Sequence, residues 1–96
     1  MTDTELLEKV KIALFGSSAG AWRDEMLMIY INEVKAFMID AGVSESVIES
    51  SVSVGCIAIG VNDLWNYAAG EAKFSDYFYK RVKQLTRVGG VTDETA

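Results

Sequence analysis

The sequence predicts an all-α protein, a small single-domain bundle of four main helices plus a short helical turn, with a C-terminal helical hairpin. Hydrophobic residues make up 50% of the 96 positions, which is enough for one packed core in a chain of this length. They recur at spacings of three and four, the period of a helix face. Proline is absent, and glycines follow the periodic segments, at the position where helices often end in a left-handed residue.

The first helix is predicted over Asp3–Phe15. Thr2 and Glu5 have the spacing of a capping box, in which each side chain accepts a hydrogen bond from the other residue's backbone N–H. Apolar residues form the inner stripe, and the charged residues, including Lys9 and Lys11, are expected on the exposed side.

The second helix follows the connector G-S-S-A-G and is predicted from Ala21 or Asp24 to Ala41. Methionines and Ile29 widen its apolar stripe, so its first half is apolar nearly all round. Such a helix is either central in the fold or covered by a partner. Ser44 then caps a short helical turn.

The next helix is predicted from Ser51 or Ser53 to Ala69. Its apolar residues cover most of the circumference, which predicts the buried central helix of the fold. Gly55 and Gly60 lie inside it and each destabilise a helix by about 1 kcal/mol relative to alanine. Close approach of a neighbouring helix is the expected compensation.

The last helix is predicted over residues 75–88, with Ser75 as its N-cap. Phe74 and Tyr79 have the spacing of a hydrophobic staple around that cap. A glycine pair follows and predicts the end of the helix.

We expect a helical domain over residues 1–88 and a flexible C-terminal tail over residues 89–96. The candidate core consists of apolar side chains on the inner faces of three helices. These residues are Leu27, Ile31, Val34, Ile57, Leu64, Trp65, Phe78 and Val82.

The composition argues against an enzyme. The chain has no histidine, the commonest general base and metal ligand, and no glycine-rich phosphate-binding motif. Its single cysteine, Cys56, lies in an apolar run where a buried, inert thiol is expected. We therefore expect no catalytic residue, no cofactor and no metal site.

The chain is expected to be soluble and cytosolic when made, without a membrane partner. The N-terminal segment is acidic, unlike a signal peptide. The most apolar run, residues 52–61, is too short, since a span needs about 20 residues.

Packing of a small core does not explain two features of the last helix, its run of aromatic residues and its concentration of cations. Tyr77, Phe78 and Tyr79 are consecutive on a helix and cannot all face one core. Five of the nine cations lie between residues 73 and 87; a solvated face, an acidic neighbouring subunit and nucleic acid are alternative explanations. The candidate interface residues are Tyr77, Tyr79, Lys80, Arg81, Lys83 and Arg87.

Three stretches share a pattern with one known family. They are L-L-E-K-V-K-x-A-L in the first helix, F-M-I-D-A-G-V at the end of the second, and N-D-L-W-N-Y-x-x-G-x-x-x-F-S-D-Y-F-Y-K-R-V-x-Q-L in the hairpin. Together they resemble the phage head–tail connector family, the small helical adaptor or head-completion proteins of tailed phages and prophages. The resemblance covers about residues 5–88, and residues 62–85 are its most telling part.

The resemblance implies a structural virion protein that forms a ring, commonly of about twelve subunits, below the portal. Such a ring extends the DNA channel and links the capsid to the tail. The implied partners are other copies of the chain, the portal protein, a downstream neck or tail protein, and DNA that passes without sequence specificity. The implied location is the virion neck, with the host cytoplasm during assembly, and the candidate interface residues would contact subunits or the portal.

Two other functions fit parts of the sequence. The first is a small helical DNA-binding regulator that uses the basic C-terminal helix, although the start of that helix, residues 76–79, is acidic and aromatic where a recognition helix usually offers Arg, Asn, Gln or Ser. The second is an adaptor that binds a partner helix through the apolar half of the second helix.

Overall fold

The computed structural model describes residues 1–16, 23–66 and 74–95, with side chains described as far as Val88. Every regular element in these ranges is helical, which confirms the all-α prediction. The elements are α1 (Asp3–Phe15), α2 (Asp24–Asp40), α3 (Glu45–Glu49), a 3-10 turn (Ser51–Ser53), α4 (Val54–Asn66) and α5 (Asp76–Thr95). No helix in the described ranges is long and apolar enough to cross a membrane.

The predicted capping box starts α1. The Thr2 hydroxyl accepts a hydrogen bond from the Glu5 N–H at 3.1 Å, and the Glu5 carboxylate accepts one from the Thr2 N–H at 3.2 Å. The Thr2 backbone N–H, and secondly its hydroxyl, lower the pKa of Glu5 because they stabilise the charged carboxylate. The helix ends at Gly16, which is left-handed with φ 80°.

The start of α2 is Asp24; the alternative start at Ala21 lies outside the described residues. After α2 the chain turns through Gly42, at φ 106°. Ser44 caps α3 as predicted, because its hydroxyl accepts a hydrogen bond from the Val47 N–H at 3.4 Å.

The central helix is α4, as predicted, since it packs most extensively against α2 and α1 and also contacts α5. Its buried residues are Cys56, Ile57, Ala58, Gly60 and Val61. The helix is described to Asn66, and its predicted end at Ala69 lies outside the described residues, as does the hairpin connection around Gly70.

Gly60 lies where three helices meet. A Cβ atom at this position would lie 2.7 Å from Phe78 Cε1 of α5 and 2.8 Å from Val34 Cγ2 of α2. The prediction of a close approach is therefore confirmed at Gly60. It is wrong at Gly55, where a Cβ would meet none of the described residues within 4 Å, because Gly55 lies on the exposed side of the first turn of α4.

The core contains six of the eight candidate core residues as buried side chains. These are Leu27, Ile31, Val34, Ile57, Phe78 and Val82. Leu64 and Trp65 are only partly buried and pack against the edge of the core. Trp65 contacts Phe15 edge-on, at 5.9 Å between ring centroids, and the Arg23 guanidinium lies 5.0 Å from its ring.

Lys11 is buried, at 5% exposure, so the prediction of an exposed lysine is wrong. Its Nζ lies 2.8 Å from Asp24 Oδ1. The ion pair joins the last turns of α1 to the first turn of α2, and a buried cation requires such a partner. The apolar period of α1 could not show this, because the carboxylate comes from another helix.

The predicted end of the last helix at Val88 is wrong, since α5 continues through the glycine pair to Thr95. Glycine permits helix termination but does not impose it, whereas proline would break the hydrogen-bond ladder. The flexibility of residues 89–96 stays a prediction; side chains beyond Val88, and residue 96 itself, lie outside the described part.

Candidate interaction surface

The start of α5 is anchored to α4 by Ser75. The Ser75 hydroxyl accepts a hydrogen bond from the Phe78 N–H at 3.2 Å, which confirms the predicted N-cap. The Ser75 N–H and hydroxyl both donate to Asp63 Oδ2 of α4, each at 2.9 Å. The carboxylate of Asp63 therefore fixes the position at which α5 begins.

Aromatic packing fixes the rotation of α5 about its own axis. Phe78 is fully buried and stacks on Phe74, at 4.3 Å between ring centroids. Phe37 of α2 lies 5.6 Å from Phe78 and 4.9 Å from Phe74. Tyr79 contacts Phe74 edge-on at 6.2 Å, the contact expected of a hydrophobic staple.

The opposite side of α5 is exposed. We define the basic face as Tyr77, Tyr79, Lys80, Lys83 and Arg87, all of which are exposed. The two tyrosines remain 60% and 45% accessible, so both meet solvent, as predicted for at least one ring of the run. Five of the six candidate interface residues therefore lie together.

Arg81, the sixth candidate interface residue, does not belong to the basic face. It is only half-buried, lies toward the flank of α5, and its Nη1 donates to Gln84 Oε1 at 2.6 Å. It is also close enough to Cys56 to act on that thiol electrostatically.

The lysines and the arginine of the basic face form no ion pair within the described residues. The charge of the chain is also divided unevenly. Residues 3–66 carry ten carboxylates and four cations, whereas residues 76–88 carry one carboxylate and four cations. A cationic helix on an otherwise acidic protein attracts an anionic partner and repels a basic one.

An open groove of about 440 Å³ lies beside this face. Tyr77 of α5 and the N-cap residue Ser75 form one wall. The rest of the lining comes from α1 and α4: Ala13, Leu14, Gly55, Ala58, Ile59, Asn62 and Asp63. The small side chains leave room for an apolar side chain. Sequence reasoning missed the groove; the one available signal was the spacing of Gly55 and Ala58 on one side of α4.

Cys56 is the titratable group beside α5 whose pKa is shifted, and it is buried. Burial raises the pKa of the Cys56 thiol to about 11, against a smaller opposing effect of Arg81, so the sulfur is protonated at neutral pH. In the part of the chain that the structure describes, no three His, Cys, Asp or Glu side chains converge as metal ligands. What the surface supports is binding through tyrosine rings and cations.

No family model, curated protein or solved structure matches this chain. The resemblance to head–tail connectors therefore stays a prediction from the three sequence patterns, and the function is inferred from the surface described above.

Proposed function

We propose that this chain is a structural virion protein, a head–tail connector that assembles through its basic face into a ring below the portal. The observation that carries the proposal is a set of exposed tyrosines and cations on a helix whose position and rotation are fixed. Among the described residues these cations form no ion pair. In this proposal the ring extends the DNA channel and links the capsid to the tail.

The composition of the basic face favours a protein partner. Tyrosine and arginine are enriched in protein interfaces, and tyrosines that are about half exposed still bury apolar area when a partner covers them. The anchoring of α5 by Asp63 and Phe78 means that little backbone conformational entropy is lost on binding.

The uneven charge favours other copies of the chain as partners. A ring uses two different patches of each subunit, one docking on the other, and an acidic body with a basic helix supplies two such patches. An acidic channel would also let DNA pass without adhering, because phosphates are repelled rather than bound. The portal protein and a downstream neck or tail protein complete the proposed set of partners. Assembly takes place in the host cytoplasm and the product resides in the virion neck.

Native mass spectrometry across a protein-concentration and salt series tests the proposal. We expect a discrete oligomer of about twelve copies, either alone or on addition of the portal ring encoded in the same genome. Salt should weaken it, because ionic screening reduces the attraction between surface charges. A chain that stays monomeric with and without that portal, or a genome that encodes no portal, would contradict the proposal.

A matched pair of variants separates the basic face from general charge effects. Lys83→Glu and Lys9→Glu change the net charge equally, and both lysines are exposed on helices. We expect Lys83→Glu to weaken assembly by about tenfold or more, as loss and reversal of an interface charge does, while Lys9→Glu leaves it unchanged. Equal effects of the two variants would remove the basic face from the proposal.

The DNA-binding regulator remains the second candidate, because Lys80, Lys83 and Arg87 are exposed on one helix. The Asp63 and Asp76 carboxylates at the start of α5 oppose it, since that end of a recognition helix approaches phosphates and bases. A duplex-DNA titration of the same samples decides between the two. A salt-sensitive duplex affinity that Lys83→Glu abolishes, in a chain that does not assemble, would support the regulator.

A further inference from the structure

The outward side of α2 forms an exposed stripe along its whole length. Its residues recur at spacings of three and four and therefore share one helix face. We define the acidic stripe as Glu25, Ile29, Asn32, Glu33, Ala36, Ile39 and Asp40, all of which are exposed.

The acidic stripe combines charge with apolar surface. It holds three carboxylates and no cation, and its carboxylates form no ion pair within the described residues. Ile29 and Ile39 remain 60% and 48% accessible. Lys35, the lysine of this helix, lies to the side and is half-buried, with its Nζ 4.0 Å from Asp3 Oδ1.

The basic face has the complementary composition. Lys80, Lys83 and Arg87 run along its middle, and the exposed tyrosines flank them. Cations opposite carboxylates attract each other, and rings opposite isoleucines remove apolar surface from water. Within the described part of the chain, neither the cations of the basic face nor the carboxylates of the acidic stripe form an ion pair.

The acidic stripe is also long enough to accept the basic face. At about 1.5 Å per residue, residues 25–40 of α2 extend about 22 Å and residues 77–87 of α5 about 15 Å. The whole length of the basic face therefore fits along the acidic stripe as one continuous helix–helix contact.

We propose that the acidic stripe of one copy receives the basic face of a neighbouring copy. This inference rests on the proposed function, because it takes a second copy as the partner, and it adds which part of that copy is the receptor. Repetition of the contact head to tail builds a ring; two copies that exchange both patches would instead close a two-fold dimer.

A charge exchange tests the pairing. Glu33→Lys with Asp40→Lys makes both surfaces basic, and Lys80→Glu with Lys83→Glu makes both acidic. Each double variant alone should dissociate, with the apparent dissociation constant raised about tenfold or more. A one-to-one mixture should reassemble, because each basic surface then finds an acidic one, and native mass spectrometry should show both chains in every oligomer.

A matched control separates pairing from net charge. Glu8→Lys with Glu45→Lys makes the same change of net charge at exposed positions of α1 and α3. This control should assemble like the original chain. Circular dichroism of every variant verifies that the helices are retained, so that loss of assembly is not mistaken for unfolding.

The outcomes distinguish the two proposals. Loss of assembly in the α5 variant but not in the α2 variant, or a mixture that fails to reassemble, overturns the pairing and leaves the connector proposal intact. A chain that forms no oligomer in any sample, with the portal present, overturns both.

Cross-linking detects the pairing even when association is weak. A mixture of ¹⁴N- and ¹⁵N-labelled chains is treated with a carbodiimide, which joins a carboxylate to a lysine in contact. We expect mixed-isotope links between the α2 peptide and Lys80 or Lys83. Mixed-isotope links confined to other surfaces, or none at millimolar protein, would overturn the inference.

Discussion

Two glycines of α4, Gly55 and Gly60, are five positions apart in the sequence and serve opposite roles. At Gly60 the missing side chain makes room for Phe78 and Val34, which would lie within 3 Å of a Cβ atom. At Gly55 a Cβ atom would meet no described residue within 4 Å, and the missing side chain leaves space in the wall of the open groove. Glycine on a buried helix therefore marks a helix crossing at one position and an unfilled surface at another.

The largest effect should come from the ring that fills the space at Gly60. Phe78→Ala removes a fully buried side chain and should destabilise the fold by about 3–5 kcal/mol, measured by urea unfolding. Phe78→Leu retains most of the volume and should lose less. Phe74→Ala, at a half-buried ring of the same cluster, is the control; a loss equal to that of Phe78→Ala would refute the role of the crossing.

Gly60→Ala tests the crossing directly. Overpacking usually destabilises by about 1–3 kcal/mol, and the gain in helix propensity offsets about 1 kcal/mol of that, so we expect a net loss of up to about 2 kcal/mol. Combination with Val34→Ala should lose less than the sum of the two single variants, because the truncated valine makes room. Strict additivity would contradict the close contact.

Ser75→Ala tests how the start of α5, which borders the groove beside Gly55, is held to α4. The substitution removes the N-cap of α5 and the hydroxyl hydrogen bond to Asp63, while the backbone N–H of residue 75 can still donate to that carboxylate, so the loss should be about 1–2 kcal/mol. Asp63→Ala should cause a loss that overlaps with it. A double-mutant cycle measures the overlap, and independent, additive losses would show that the two residues do not act together.

Gly55→Ala should have the opposite sign to Gly60→Ala. An alanine there meets open space and adds helix propensity, so we expect a gain of about 0.5 kcal/mol, which corresponds to a rise in Tm of about 2–4 °C. Differential scanning calorimetry of the two alanine variants makes the comparison. A lower Tm for Gly55→Ala would mean that the groove is filled in solution.

The effect that is smallest near neutral pH is a pH dependence at Cys56, which lies between the two glycines. Its folded pKa is raised to about 11, whereas a thiol in an unfolded chain loses its proton near pH 8.5 or so. The raised folded pKa means that its contribution to stability is complete below about pH 8 and is lost as pH rises toward 11. The unfolding free energy of the original chain should therefore fall more steeply above pH 8 than that of Cys56→Ala. Parallel curves would mean that the thiol is not desolvated.

The features that sequence reasoning predicted are local. The capping box of Thr2 and Glu5 and the N-caps of Ser44 and Ser75 depend on residues three positions apart, so their spacing is visible in the chain. The basic face was predicted for the same reason, because residues at helical spacing share one side wherever the helix packs.

The features that it missed depend on neighbours distant in the chain. Lys11 is buried because Asp24 of another helix lies beside it. Gly55 and Gly60 look equivalent until the crossing of α2 and α5 is known. The groove needs three helices to exist, and the glycine pair after Val88 does not stop α5, since glycine alone does not end a helix.

The meeting of residues 34, 60 and 78 has a consequence for how the chain folds. These positions come from three helices separated by long stretches of sequence, whereas each cap forms within one helical turn. Chains pay loop-closure entropy before distant contacts form, so we expect the helices to appear first and the crossing to be completed late. Substitutions at the crossing should then act mainly by accelerating unfolding, which makes this one contact a determinant of how long each folded molecule survives.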